Sequence, residues 1–449
     1  DGEGLITDSF MEVRPTMLTR FPATFSSPAD LERIKLAGVQ WTVAHAWNNS
    51  LFYRERFQEA DVSPEDIRTL ADLRKLPFTT ADDLRAGYPF PLRSAPFEDI
   101  VRIHSSSGTT GKRKILCYTR KDVDDWAEMF CRCYELAGVT REDRVQICVG
   151  YGLWTAGTGF QAACERYGAL AVPVGPGNLE LQTTFLTDLQ STVVCCTASM
   201  GLLLAEEVLR RGLRDRIRVR KVILGAERSS EAMLAKIREG LGAESVHDIT
   251  GLTEVYGPGT GLSCAFPGAN GAVHYWADYY LLEILDPETL QPVAPGEVGE
   301  MVFTTLRKEA APLIRYRSRD LTRLIPGNCP CGCTFPRHDR ILGRSDDVVI
   351  FRGVNIYPGQ IDEILDTVEG VGSEFQVILD HGADGRDYMT IRVERSEDGA
   401  PADDPALARR VASAVKHSLM VSCEVAVLPY GELPRSEGKT RRMFDNRKY

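Results

Sequence analysis

Short apolar runs alternating with helical stretches between residues 145 and 241 restrict the architecture of this chain more than any other feature of its sequence. Residues 145–150, 169–174, 192–196 and 221–224 have strand length and are rich in Val, Ile, Ala and Cys. Apolar spacing of helical period occupies 179–190, 201–212 and 231–241 between them, and a further helix is expected over 121–138. Strands joined through helices pair in parallel. The pattern therefore implies an α/β fold, a large domain of mixed or parallel sheet with helices on both faces.

The flanking regions have a different texture. Residues 1–27 show no clear period, whereas Leu31, Ile34, Leu36, Val39, Val43 and Trp47 give 29–60 a helical spacing. Past residue 275, strands at 280–284, 296–303 and 321–325 alternate with Pro/Gly turns, which predicts a β-rich subdomain near 262–342. The last hundred or so residues read as strand, helix (360–368), strand (375–380), strand (388–395), helix (405–417) and strand (423–427). That order suits a small α+β lid. The boundary is placed between Ser345 and Asp346, giving domains 1–345 and 346–449, and the acidic stretch 396–404 is expected to be a solvated loop.

A net charge of -10 argues against broad binding to nucleic acid or to an anionic membrane surface. No apolar run of about 18 residues, no signal-peptide core and no lipidation motif is visible, so a cytoplasmic protein is expected. Seven of the cysteines, Cys117, Cys131, Cys133, Cys148, Cys164, Cys195 and Cys196, lie in apolar segments and read as small hydrophobes.

The loop His104–Lys114 carries the strongest chemical signal. Ser105, Ser106, Ser107, Thr109 and Thr110 offer hydroxyls beside Gly108 and Gly111, whose missing side chains let backbone N–H groups approach an oxyanion, and Lys112 adds a cation. This composition suits a polyphosphate. It is not the Walker pattern, because the two glycines are too close together and Arg113 follows the lysine.

Taken with five further segments in one order, this loop makes the chain resemble the adenylate-forming superfamily, specifically its phenylacetate–CoA ligase branch. The segments are Gly225-Ala226-Glu227; Asp248-Ile249-Thr250-Gly251-Leu252-Thr253-Glu254 with Val255–Gly259; Arg315-Tyr316-Arg317-Ser318-Arg319-Asp320; Gly343-Arg344-Ser345-Asp346-Asp347 through Gly353; and Leu433-Pro434-Arg435-Ser436-Glu437-Gly438-Lys439-Thr440. The likeness implies a two-step enzyme. A carboxylate attacks the α-phosphate of ATP to give an acyl-adenylate and pyrophosphate, and the thiol of coenzyme A then displaces AMP.

Roles follow from the resemblance residue by residue. It implies that Glu254 holds Mg²⁺ against the ATP oxygens, that Asp320 accepts the ribose hydroxyls and that Arg344 contacts the nucleotide. Gly225, Ala226 and Glu227 would lie along the adenine, beside Asp248, Thr250, Gly251 and Thr253. Lys439 would serve the first half-reaction and then leave as the small domain turns about a hinge at Asp346. Tyr151, Trp154, Ala156 and Gly157 match the acyl-site loop, which suits a small aromatic carboxylic acid. Dimers are common in the branch, so a homodimer is the assembly to look for.

Two departures stand out. Thr250 occupies a position where the family places an aromatic ring on adenine, which leaves stacking to Tyr256 or another ring, and Arg319 replaces a glycine beside Asp320. Retention of Glu254 and Lys439 weighs against a catalytically silent nucleotide-binding protein. An enzyme that hands its acyl group to a carrier protein or another nucleophile remains the main alternative.

Cys329-Pro330-Cys331-Gly332-Cys333, with Cys264 and His274 upstream, supplies enough soft ligands for a closed tetrahedral zinc. The residues alone allow Cys333 to replace one of the others. The resemblance implies the set Cys264, His274, Cys329 and Cys331.

Overall fold

The computed structural model of the chain describes residues 18–106, 112–227, 229–346, 349–352, 354–356, 358–382, 386–435 and 442–447. Its centre is a nine-stranded sheet. Five strands run parallel in the order Leu170–Val172, Arg144–Ile147, Val193–Thr197, Lys221–Gly225 and Ser245–Leu252; four antiparallel strands, Gly257–Ser263, Val273–Tyr275, Arg337–His338 and Leu324–Ile325, extend it. The apolar runs read from the sequence are four of these parallel strands, and the central two, Val193–Thr197 and Lys221–Gly225, are buried on both faces. Alternation decides which side each residue serves: Val194, Cys196, Val222 and Leu224 pack with helices Ala198–Arg210 and Glu231–Leu241, while Val193, Cys195 and Ile223 join the core under helices Arg120–Leu136 and Ala156–Tyr167.

The chain leaves strand Arg144–Ile147 to one side for Leu170–Val172 and to the other for Val193–Thr197. That reversal opens a crevice at the carboxyl ends of these strands, the usual ligand position in an open α/β sheet. The loop after Ile147, the start of helix Ala198–Arg210 and the Gly225–Glu227 turn all reach it.

Residues 262–342 do not form one sheet. Strands Tyr280–Leu285, Gly299–Thr305, Tyr316–Thr322 and Gly343–Arg344 make a separate four-stranded antiparallel sheet, whereas Val273–Tyr275, Leu324–Ile325 and Arg337–His338 join the edge of the large one. The contacts among Cys264, His274, Cys329 and Cys331 bring 324–338 back to that edge. Near the amino end, the helical spacing over 29–60 resolves into Pro28–Asn49 and Leu51–Glu59, broken at Ser50, whose hydroxyl caps the second helix by accepting the Tyr53 N–H.

The carboxyl-terminal lobe has its own core. Strands Glu424–Leu428, Asp387–Arg395, Val371–His381 and Met443–Asp445 form a sheet in that order, and helices Pro358–Asp366 and Asp404–Leu419 bury Ile361, Val411 and Val415 against Val377, Ile391 and Val393. The expected order of elements in this lobe is observed, except that a hairpin of two strands, Val349–Phe351 and Val354–Ile356, precedes the first helix and one more strand stands at the end.

Candidate active site

A cleft of about 1860 Å³ runs from the carboxyl ends of the parallel strands to the carboxyl-terminal lobe. Ser106, Trp154, Ala156, Gly225, Ala226, Glu227, Asp248, Thr250, Gly251, Thr253, Glu254, Asp320, Arg344 and Asp346 all line it, although they come from segments far apart in sequence. Ser107, Gly108, Thr109, Thr110, Gly111 and Lys439 lie outside the described residues.

The stem of the hydroxyl-rich loop is a hairpin, Ile100–Ser105 paired antiparallel with Ile115–Thr119. The Ser105 N–H donates to the Leu153 carbonyl at 2.8 Å and His104 Nδ1 lies 3.2 Å from the same oxygen, so the loop is tied directly to the 151–157 segment. Lys112 is exposed, with Nζ 5.4 Å from the Tyr88 ring centroid, and does not line the cleft. Lys114 does, and it forms an ion pair with Glu254.

Glu254 is 4% exposed and sits just past strand Ser245–Leu252. Burial pushes its carboxyl up, but the charge and hydrogen bond of Lys114 outweigh that and hold it below its ordinary value, with the Tyr316 hydroxyl donating to Oε1 at 3.1 Å. Behind it, Lys308 is fully buried and donates from Nζ to the Glu254 carbonyl at 2.9 Å. Its ammonium lies 4.8 Å and 5.1 Å from the ring centroids of Tyr118 and Tyr256. Burial pushes the lysine down to about 8, with Asp122, Cys117 and Glu254 opposing the fall. Tyr256 itself is completely buried and cannot stack on a nucleotide in the cleft.

A buried cation with a depressed pKa has a signed effect on stability. Between its folded value of about 8 and its ordinary 10.5, the unfolded chain binds the proton that the folded chain has lost, so stability rises with pH across that window. Lys308→Met removes this slope. At neutral pH the relief of charge burial, roughly 3 kcal/mol, is offset in part by the orphaned Glu254 carbonyl, which leaves a net gain of about 1 kcal/mol. Denaturant melts at pH 7 and pH 10 check the slope, and adenylation is expected to fall because the Glu254 main chain loses its anchor.

Asp320 and Arg344 pair across neighbouring strands. The guanidinium reaches Asp320 Oδ1 at 3.3 Å and grips Asp346 with two bonds of 2.9 Å, so the position expected to be the hinge is joined to the position expected to hold ribose. Arg319 and Ala226 both have φ of +71°, and both line the cleft. Non-glycine residues in the left-handed region carry strain, which collects at functional sites. Arg319 turns its guanidinium to Glu300 at 3.6 Å, an anion already bidentate with Arg317.

At the Gly225–Glu227 turn, a side chain on Gly225 would meet the Ile249 carbonyl oxygen at 2.5 Å, so only glycine lets the two strands close here. Glu227 is engaged by Ser199, accepting its N–H at 2.6 Å and its hydroxyl at 2.9 Å, and so holds the start of helix Ala198–Arg210. Burial pushes Asp248 up to about 7. The Thr250 hydroxyl faces strand Gly257–Ser263, where a side chain at Gly261 would meet it at 2.7 Å.

The apolar end of the cleft is lined by Val149, Trp154, Ala156 and Phe160. Tyr151 and Gly157 stand behind this lining. A side chain at Gly157 would collide with the Tyr151 ring at 2.7 Å, so the glycine makes room for the tyrosine. His104, His247 and His338 are buried and each is pushed down to about 4 by burial, hence neutral near pH 7.

The ligand atoms of Cys264, His274, Cys329 and Cys331 lie within 4.8 Å of one another, all buried. The Cys264–Cys329 sulfur separation is 3.8 Å, matching the edge of a tetrahedron with metal–sulfur bonds of about 2.3 Å. Cys331 Sγ is 3.3 Å from His274 Nε2, and His274 Nδ1 sits 3.0 Å from the Phe335 carbonyl, which fixes the proton on Nδ1 and turns the Nε2 lone pair to the sulfurs. These four residues fit a zinc ion.

Residues 34–305 match the model of the AMP-binding enzyme family, and residues 353–447 match that of the AMP-binding enzyme C-terminal domain. Over 431 residues the chain is 38% identical to the phenylacetate-coenzyme A ligase of Escherichia coli (strain K12), covering 95% of this chain and 97% of the relative. Its fold is similar to 2-hydroxyisobutyryl-CoA ligase in the postadenylation state in complex with 2-HIB-AMP, with a TM-score of 0.87, 26% identity and coverage of 95% and 92% of the two chains. The same ligase with 2-HIB-AMP and CoA in the thioesterification state scores 0.69 at 27% identity, over 94% and 91%. Over the whole chain the fold superposes better on the first of these two structures than on the second.

Proposed function

This chain belongs to the AMP-binding enzyme family, in its phenylacetate–CoA ligase branch, and from that premise we propose that it is an ATP-dependent aryl- or arylacetate–CoA ligase. The carboxylate oxygen of the acid attacks the α-phosphorus of ATP, pyrophosphate leaves, and the sulfur of coenzyme A then attacks the acyl carbon and expels AMP. The carrying observation is the single cleft that joins an ionised Glu254, the cation of Lys114 and the Asp320–Arg344 pair to an apolar end at Trp154, Ala156 and Phe160. A flat apolar acid fits that end, and its carboxylate faces the polar one.

Adenylation needs charge placement more than a nucleophile of its own. Tyr316 and Lys114 orient the Glu254 carboxylate, and a hard oxygen ligand kept ionised fits Mg²⁺, which when bound neutralises the phosphate oxygens. Asp320 receives the ribose hydroxyls; Ser105, Ser106 and the residues through Gly111 receive the phosphates; Asp248, Thr250, Gly251 and Thr253 line the nucleobase side with Gly225 and Ala226. Lys439 supplies the positive charge at the α-phosphate in the first step. We place the domain boundary at 345/346, with Asp346 as the hinge, and the thiols suit the reducing cytoplasm.

The test is ATP–pyrophosphate exchange across aryl, arylacetic and fatty acids, followed by CoA. Exchange driven by one aromatic acid, then thioester and AMP on adding CoA, supports the reading. AMP release that CoA does not stimulate points to a carrier protein or another acceptor, and no exchange with any acid overturns the proposal.

Zinc in the Cys264, His274, Cys329 and Cys331 site staples the edge strands and does no chemistry, since four protein ligands leave no open position. Elemental analysis is expected to give one zinc per chain. Cys331→Ser is expected to lose it and to destabilise the protein by several kcal/mol. Retention of zinc by Cys331→Ser but not by Cys333→Ser would transfer the ligand role to Cys333.

A further inference from the structure

The segment that carries Lys439 is gripped on its amino-terminal side by a buried carboxylate. Glu394, on strand Asp387–Arg395, is completely buried; it accepts the Leu433 N–H and takes both Nη atoms of Arg435, at 3.0 and 2.9 Å. On the far side of the segment, Arg442 lines the cleft and reaches Glu374 at 3.5 Å and Asp362 at 3.8 Å. Of the described residues that flank this segment, Arg435 has a partner in the larger lobe.

That partner is Glu206, in the middle of helix Ala198–Arg210 of the large lobe. Glu206 Oε1 accepts the Ser373 hydroxyl at 3.2 Å, and Oε2 lies 3.7 Å from Arg435 Nε. The Arg435 guanidinium is also stacked over the Tyr430 ring at 4.8 Å. Ser373 and Arg435 of the small lobe thus converge on one carboxylate of the large lobe. The same helix begins in the cleft, where Ser199 holds Glu227.

We propose that Glu206 is a positioning residue for adenylation, docking the small lobe through Ser373 and Arg435 so that the Lys439 segment is presented to the cleft. This rests on the assignment of Lys439 to the first half-reaction. When the lobe turns for thioester formation these contacts part, so Glu206 serves one half-reaction only. A residue that merely supported the fold would slow both.

Glu206 is about one-quarter exposed, so its replacement should leave the fold intact, and thermal melting checks this. Glu206→Ala removes both contacts, while Glu206→Gln keeps the acceptor for Ser373 and discards the charge facing Arg435. With the acid that best drives wild-type exchange, phenylacetate being tried first, Glu206→Ala is expected to slow ATP–pyrophosphate exchange about tenfold, with Glu206→Gln between it and wild type. Thioester formation from the preformed acyl-adenylate and CoA is expected to stay within about twofold of wild type in both variants. Equal slowing of the two half-reactions, or exchange at the wild-type rate in Glu206→Ala while Lys439→Ala is inactive, overturns the proposal. Exchange at the wild-type rate in Lys439→Ala overturns instead the lysine assignment on which it rests.

Discussion

Replacing Glu254 with Gln is expected to slow adenylate formation by about 10²–10³-fold while raising the KM for MgATP only several-fold. Glutamine preserves the volume and can still accept the Tyr316 hydroxyl, so the loss isolates the charge. In the wild-type protein that charge is secured from two sides: Lys114 holds the carboxyl ionised against the upward push of burial, and Lys308 fixes the backbone from behind. A neutral amide leaves Lys114 without its counter-charge, and the triphosphate can take that place, which is why ground-state binding suffers less than turnover. The bound cation, however, loses its anionic ligand where negative charge grows in the transition state. Exchange measured across a magnesium series checks this. The expected signature is a large fall in the maximal rate that excess Mg²⁺ does not restore, and near-normal exchange would remove Glu254 from the cation site.

Much of the fold was legible because parallel strands buried on both faces leave almost unbroken apolar runs, and Val193–Thr197 and Lys221–Gly225 are of that kind. The Cys/His cluster was legible for a different reason. Thiolates and imidazole are so type-specific as ligands that the residues alone nominate a zinc site, while the choice of Cys264, His274, Cys329 and Cys331 over Cys333 was what the resemblance implied. Lys114 escaped notice because Lys112, Arg113 and Lys114 are equivalent in composition, and only the hairpin register that begins at Ile115 brings the third of them to Glu254. Lys308 was equally hidden within Arg307-Lys308-Glu309, which reads as an ordinary charged surface run. Its burial depends on rings from Tyr118 and Tyr256, whose packing no local pattern reveals. Glu227 lines the cleft as expected, but the sequence carried no sign that Ser199, 28 positions earlier, would also engage it as a helix anchor. Tyr256, one of the rings left open for stacking on adenine, went to the core by the same long-range logic.

Lys439→Ala is expected to give the largest loss of all, about 10³-fold or more in ATP–pyrophosphate exchange, with thioester formation from supplied acyl-adenylate and CoA nearly unchanged. The asymmetry comes from where charge develops. In the first step the acid and the α-phosphate bring negative oxygens together, and a single ammonium between them is worth more as the phosphorus becomes five-coordinate than it is in the bound ground state. In the second step a thiol attacks a carbonyl, AMP departs, and the lysine has no such gap to fill. Truncation at Lys439 leaves the Arg435–Glu394 pair and the Glu206 contacts in place, so neither melting temperature nor lobe docking is expected to shift. Single-turnover measurement of each half-reaction gives the comparison directly. Loss in both halves would mean that the residue supports the lobe as a whole. Loss in neither would pass the α-phosphate role to another cation already in the cleft, such as Lys114 or Arg442.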